Sequence, residues 1–416
     1  MKHIFLFINI FLITIAIYAD DLTLDECINK ALQTHPDIVK NSLGVESAKS
    51  ATDIIRADYL PQVTLNAEYD QVRTFALPSN GIFNTVEDSA WAVGGVINQK
   101  IWDFSKTTTS IEAQEVEQEI SSLNLVEAKA LLSLKVKLQY ELMLVQKIAI
   151  EVREKDLKAK KELYKQAEAF VKNGMRTSAE ASRFLSAVYL SKESLAIAQA
   201  SYEKARRALS LYIGEPISED VRLQNTLESI SKIFVDEESL LQNSPSLLAT
   251  QKSIQKSDLL YKATKATHYG SLDAIASYTR QNTLNEYDST LLGVTYRVPL
   301  YSGGRISALV EQSHLAHQSA IASFNSKELA LKEEFSILMI DVDRYEKTIK
   351  AKESQLEASE QTQRVLEARY KEGLATYIEI LDASALTLNA KLGLIQAIYE
   401  KSSTLHRIEY LQGKSI

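Results

Sequence analysis

No proline or glycine interrupts the chain between Ser105 and Val171. A helix over that stretch rises ~1.5 Å per residue and reaches ~100 Å, longer than a globular core can use. Leu131, Leu134, Leu138, Leu142, Val145, Ala149 and Val152 follow the three-and-four spacing of a coiled-coil seam. After Gly304 a second such stretch carries Phe335, Leu338, Val342, Tyr345 and Ile349, then turns polar at Lys352, Ser359 and Gln363. A seam that turns polar expects one face to see water or to pack loosely. Only 6 prolines and 13 glycines occur in 416 residues, and no Ser/Gly-rich linker, so long continuous helices are favoured over a string of compact domains.

The two halves share one plan. Pro36 pairs with Pro245, and Ala57 to Tyr69 runs parallel to Ala266 to Tyr278. Ile101-Trp102-Asp103-Phe104-Ser105 pairs with Val298-Pro299-Leu300-Tyr301-Ser302, Asn173-Gly174 with Glu372-Gly373, and Gly214 with Gly413. The expected first repeat, 20–214, holds a short helix, strands near 61–73 and 89–103, and long helices near 105–172 and 177–213. An inter-repeat segment, 215–243, precedes the second repeat, 244–416, with strands near 270–282 and 289–301 and helices near 304–371 and 376–412.

The strands alternate. Val63, Leu65, Ala67 and Tyr69 share one face, and Thr64, Asn66, Glu68 and Asp70 the other. Leu272, Ala274, Ala276 and Tyr278 do the same in the second half, and the returning strands offer Trp91, Val93 and Ile97, then Leu292, Val294, Tyr296 and Val298. Strands of ~10 residues with one apolar face suit an outer-membrane barrel. A soluble antiparallel sheet with one buried face has the same pattern, so the strands alone leave both open. Thr74 to Asp88 and Thr283 to Asp288 are expected to be turns, the first a polar loop around Pro78-Ser79-Asn80-Gly81.

Residues 1–19 read as a secretory signal: Lys2 and His3, an apolar run from Ile4 to Ile17, and Ala19 before Asp20-Asp21. Cleavage after Ala19 removes the charge of Lys2 and takes the net charge from −7 to −8. An acidic chain without a dense basic cluster argues against nucleic acid as a partner. Cys27 is the only cysteine, so no internal disulfide can form, and it reads as a packing residue.

Chemistry-bearing motifs are few. His314 and His317 lie one helical turn apart with Glu311 a turn earlier, but no further ligand is evident, so a wet helix face is expected rather than a metal site. Gly303-Gly304 has no following Gly-Lys-Ser/Thr and reads as a strand-to-helix corner. No nucleophile elbow, zinc-protease pair or dinucleotide fingerprint is present, so neither catalytic residues nor a cofactor are expected. Thr177-Ser178-Ala179-Glu180 and Thr376-Tyr377-Ile378-Glu379 both fit a capping box after a helix-ending glycine. Asp382 shares a helix face with Glu379.

Several of these segments together resemble the TolC family of outer-membrane efflux proteins, the outer-membrane factors. Val298-Pro299-Leu300-Tyr301-Ser302-Gly303-Gly304-Arg305 is similar to that family's second-repeat hallmark. Leu22-Thr23-Leu24-Asp25-Glu26 to Ala31, with His35-Pro36-Asp37-Ile38, is similar to its mature start, and Gly373 to Ala383 to its periplasmic turn. The resemblance spans essentially the whole mature chain. It implies a mainly α fold with a small β part. It also implies that three subunits of four strands each would close a twelve-stranded antiparallel outer-membrane barrel, continuous with a helical coiled-coil barrel in the periplasm. Four strands alone cannot close a barrel, and lipid does not tolerate an open edge. The implied function is the exit duct of a tripartite efflux or type I secretion system. Its partners would be outer-membrane lipid, a periplasmic adaptor (membrane fusion protein) and an inner-membrane pump of the RND or ABC type. The alternative is a non-conducting periplasmic coiled-coil scaffold, which needs no lipid-facing strands.

By the same resemblance, Glu379 and Asp382 match an acidic ring lining the periplasmic entrance. Glu180 and Tyr370 match a hydrogen-bonded constraint that holds this entrance closed. Where the family often has an arginine two residues after the tip glycine, this chain has Ala375, so Arg176 or Arg183 is the expected replacement. Gly174, Met175, Gly373 and Leu374 match the tips that meet the adaptor.

Overall fold

The computed structural model describes residues 21–76, 84–227, 236–282 and 286–415. The expected signal and its cleavage site lie outside them.

A two-residue strand β1 (Asp21–Leu22) leads into α1 (Leu24–Thr34), which Thr23 and Glu26 start with a complete capping box. Helix α2 (Pro36–Ala57) follows, with Pro36 at its first turn, where a missing N–H costs nothing. Strands β2 (Gln62–Ala76) and β3 (Asn84–Trp102) precede the long helix α3 (Lys106–Lys172) and its return α4 (Ser178–Ile213). After β4 (Arg222–Leu223) and α5 (Glu237–Asn243) the plan repeats. Helix α6 (Pro245–Ala266) again opens on proline, β5 (Ser271–Asn282) and β6 (Glu286–Arg297) form a hairpin, and α7 (Arg305–Lys371) and α8 (Tyr377–Leu411) form the second long pair. Helices α3 and α7 have 67 residues each, and α2 and α6 have 22 each.

The corner into each long helix uses left-handed backbone. Gly303 and Gly304 supply it before α7, but Phe104 and Ser105 must supply it before α3. Left-handed backbone costs a residue with a Cβ about 1–2 kcal/mol. Local contacts offset this: Phe104 stacks on Trp102 at 4.6 Å, and buried Asp103 accepts the Thr107 backbone N–H at 3.0 Å and the Tyr59 hydroxyl at 2.9 Å.

The four long strands form one antiparallel sheet in the order β2-β3-β5-β6, so each repeat's hairpin joins the other through β3 and β5. The register places Val63 opposite Ile97, Ile97 opposite Ala276, and Ala276 opposite Leu292. Directly opposed residues share a face, so the four apolar stripes merge into one surface. On the opposite face Gly94 lets β3 and β5 approach: a Cβ at that residue would lie 2.6 Å from the Tyr278 carbonyl oxygen. Among the described residues the apolar face is largely uncovered. Val63 is 72% exposed, Leu65 77% and Leu292 85%. Both β2 and β6 are edges.

The strands outrun the sequence reading at their tips. Residues 84–88, expected in a polar loop, pair with 72–76, and Glu286 to Asp288, expected in the second turn, pair with 280–282. Backbone pairing there needs no apolar side chains, which is why alternation did not reveal it. Pro78 to Gly81 lie outside the described residues. Val298 to Tyr301, expected in the fourth strand, follow its end at Arg297, and Pro299 cannot donate to a ladder.

The seam on α3 also needs correction. Leu131 is exposed, while Leu132, Leu134, Val136, Tyr140, Met143, Leu144 and Val145 are buried. Along its length α3 packs against α1, α2, α4, α6 and α8 rather than against one partner helix, so burial spreads around it instead of following a stripe. Tyr140 is fully buried there and donates to the Leu22 and Gln224 carbonyls at 2.8 and 3.1 Å, stapling the parallel β1–β4 pair. Cys27 packs in the same cluster, and burial pushes its thiol up to about 12. His314 and His317 do not form a wet face: on α7 they are half-buried against α6, His314 beside the Tyr261 ring and His317 3.1 Å from the Ser257 hydroxyl. No described helix is long and apolar enough to cross a membrane.

Candidate functional site

The two helical hairpins meet at their tips. Each turns on a left-handed glycine, Gly174 at φ 68° and Gly373 at φ 76°. The Met175 N–H donates to the Phe170 carbonyl at 2.9 Å, and the Leu374 N–H to the Arg369 carbonyl at 2.8 Å. These six-residue closures satisfy the last carbonyls of α3 and α7. Met175 and Leu374 stand exposed just beyond the turns.

Behind the tips lies an aromatic core that belongs to both hairpins. Tyr370 of α7 is fully buried, edge-on to Phe170 and Phe184 at 5.8 and 5.7 Å. Its hydroxyl donates to the buried Glu180 carboxylate at 2.8 Å. Burial, then that acceptor, pushes the Tyr370 phenol above its ordinary value.

The two Thr-x-x-Glu motifs behave differently. Thr376 and Glu379 form a complete capping box: the Thr376 backbone N–H donates to the Glu379 carboxylate at 2.7 Å, and the Glu379 N–H donates back to the Thr376 hydroxyl at 3.3 Å. The Thr376 backbone N–H, joined by the Thr376 hydroxyl at 2.9 Å, holds the exposed Glu379 carboxyl below the usual carboxylate range. Thr177 makes no side-chain cap, and the Glu180 carboxylate turns inward to Tyr370 instead of back to the Thr177 N–H. The capping expectation therefore fails at Glu180. A local motif cannot show that a buried phenol from 190 residues away competes for its carboxylate.

Arg176 crosses between the hairpins. It donates to the Gly373 and Ala375 carbonyls at 3.3 and 3.2 Å, lies 5.8 Å from the Tyr370 ring centroid, and comes within 3.9 Å of Glu180. Arg183 covers the Tyr377 ring at 5.5 Å. Ala375 is buried. Asp382 is exposed on α8, one turn beyond Glu379.

One polar knot had no signal in the sequence. Asp156 looks like half of a surface i,i+4 pair with Lys160, but both are largely buried. Asp156 also accepts the Ser191 hydroxyl at 2.6 Å and faces that of Ser384 at 3.5 Å, joining α3, α4 and α8. No group of three or more metal-ligating side chains occurs among the described residues.

The pattern of the outer membrane efflux protein family matches residues 27–215 and 238–414, covering both hairpin pairs and the sheet. The chain belongs to that family. It is an outer-membrane efflux channel protein, as the resemblance implied. This outer-membrane efflux protein is 23% identical over 411 residues to outer membrane protein TolC of Vibrio cholerae, covering 92% of this chain and 89% of the relative. Outer membrane efflux protein BepC of Brucella suis is also 23% identical, with 91% and 82% covered. The crystal structure of VceC from Vibrio cholerae superposes with a TM-score of 0.82 at 18% identity, over 94% of this chain and 96% of that one. Fold and family thus exclude the alternative of a non-conducting scaffold.

Proposed function

We propose that three copies close a twelve-stranded barrel in the outer membrane and a helical duct below it, forming the exit of a tripartite efflux or type I secretion system. A periplasmic adaptor and an RND- or ABC-type inner-membrane pump deliver the substrates. The observation that carries this reading is the sheet: an apolar stripe that crosses all four strands, exposed among the described residues and bounded by the edges β2 and β6. In lipid each edge must find a partner, and β2 of one copy against β6 of the next is the pairing that repeats around a ring. We read the chain as two repeats, 20–214 and 244–416, joined by 215–243; the matched lengths of α3 and α7 support this. Membrane fractions run unheated on a gel should show a trimer that boiling converts to monomer. A soluble periplasmic monomer would overturn the assembly.

At the tips, Gly174, Met175, Gly373 and Leu374 are assigned to adaptor docking. Beyond the adjoining residues of the chain, no described heavy atom lies within 4 Å of a Cβ built on either glycine, so these turns face open space. Gly174→Leu or Gly373→Leu combines backbone strain of ~1 kcal/mol or more with bulk at the contact, and export should be lost with trimers intact. Gly→Asn, which tolerates left-handed backbone, should retain more export than Leu. Wild-type export by both Leu variants would refute the docking role.

The entrance ring is assigned to Glu379 and Asp382, both exposed on the first turns of α8. The closed-state constraint is assigned to Tyr370 and Glu180. Arg176 takes the place of the arginine that Ala375 replaces, because it reaches the opposite hairpin's carbonyls. Arg183 braces Tyr377 within the same cluster.

A further inference from the structure

Far from the tip, helix α8 ends in a set of buried charges. His406 Nε2 lies 3.0 Å from Glu141 Oε1 of α3, and its Nδ1 lies 3.0 Å from Glu409 Oε2 of α8. Glu409 also accepts from Lys137 of α3 at 2.9 Å, and the Ser402 hydroxyl reaches Glu141 at 2.6 Å. Glu141 is fully buried, and His406 and Lys137 are largely so.

The geometry constrains the protonation state. A neutral imidazole has one N–H and one lone pair, so one ring nitrogen would set its lone pair against a carboxylate oxygen. Only the imidazolium donates to both sides. With Lys137 and His406 both charged, two cations face two carboxylates, and no charge in the set is left over. A buried charge without a partner costs several kcal/mol, so this balance decides whether the contact holds.

We propose that His406 is a positioning residue: as an imidazolium it pins the distal end of α8 to α3, fixes the orientation of the helix that begins at the entrance, and lets go when it loses its proton. Its bearing on the entrance rests on the assignment of Glu379 and Asp382 above; the pin itself does not. Helix α8 is 35 residues long, with Glu379 in its first turn and His406 in its last two. A single unbroken helix transmits a rotation at one end to the other.

Other ionisable groups flank the pin. Tyr399 of α8 is partly buried and interacts electrostatically with Glu141. From α7, Glu346 pairs with Lys401, and Glu334 lies 4.0 Å from Arg407. The Tyr345 hydroxyl is 3.5 Å from Glu400. Glu127 of α3 accepts from Tyr410. Burial by itself would lower the His406 pKa, but hydrogen bonding to Glu141 and Glu409 outweighs it and the net shift is upward. Burial by itself would raise the Glu409 carboxyl, but the hydrogen bonds from His406 and Lys137 outweigh it and take Glu409 down to about 2. For a histidine with a raised folded pKa, the stabilisation is complete below the unfolded value near 6.5 and is lost as pH rises through the folded value.

The test uses the detergent-purified assembled protein. Thermal midpoints of the parent and His406→Gln are compared from about pH 6 to about pH 9, across the range where a histidine in such a site titrates. The parent should exceed the variant by about 2 °C or more at the acid end, and the gap should close as pH rises. A gap that stays constant with pH would mean a merely structural side chain and would overturn the pin. If His406→Gln does not assemble, the parent decides. With ¹⁵N-labelled histidine, one ring should keep both nitrogens protonated at about pH 7.5, where an ordinary histidine is mostly neutral. Only neutral rings at that pH would overturn the proposal. Neither readout involves conduction, so a failed pin and a misassigned entrance are distinguishable.

Discussion

Tyr370→Phe should open the periplasmic end of the duct. The substitution removes one oxygen and leaves the ring edge-on to Phe170 and Phe184. It leaves the Glu180 carboxylate buried, with Arg176 at 3.9 Å as its remaining polar neighbour. A buried acceptor that loses its donor costs about 1–3 kcal/mol, more when charged. That penalty falls on the state in which the hairpins are locked, because an opened tip returns Glu180 to water. Each 1.4 kcal/mol is about a tenfold change in an equilibrium constant, so the open state should gain roughly ten- to a hundredfold in population. Adding Arg176→Ser removes the donors to the Gly373 and Ala375 carbonyls and should increase the effect. Glu180→Gln keeps an acceptor for the phenol and should open the duct less than Tyr370→Phe. Single-channel recording in planar bilayers reads the open probability directly. If intact trimers of Tyr370→Phe conduct like the parent, the Tyr370–Glu180 bond does not hold the entrance.

Asp382→Asn combined with Glu379→Gln should remove most block by a trivalent cation added to the periplasmic side. In a threefold assembly the two residues place six carboxylates around one opening, and such rings concentrate multivalent cations. Asp382 makes no cap, so its loss should not disturb the fold. Glutamine at 379 can still accept the Thr376 N–H, so helix initiation survives. The capping bond also sets a pH dependence. Glu379 is held below the usual carboxylate range, so its contribution to α8 is present above the ordinary carboxylate pKa and is lost as pH falls through the depressed value. Ring repulsion in the assembly acts in the opposite direction, favouring protonation. Titrating block against pH should therefore show affinity for the trivalent ion falling as the carboxylates protonate, with the double variant flat. Equal blocking concentrations for parent and variant would move Asp382 out of the entrance and leave Glu379 as a cap alone.

Much of this architecture follows from short-range rules. The glycine-free and proline-free stretches dictate helices beyond globular length. Pro36 and Pro245 mark equivalent helix starts, and Gly174 and Gly373 equivalent turns, because each demand on φ is local. Alternation on the strands assigned their faces correctly, since period two is a property of the strand itself. The Tyr370–Glu180 pairing was legible only through likeness to a family. Tertiary structure alone decided the rest. It extended the hairpins into segments that read as turns, and it buried α3 on several sides where a single seam was expected. It gave one Thr-x-x-Glu to capping and the other to Tyr370, although the two motifs read alike. It brought Lys137 and Glu141 to a histidine 265 residues beyond Glu141. Local pattern specifies what a segment can bury or donate, but the partner of a buried charge is set by which helices pack together. In this chain those helices come from opposite repeats.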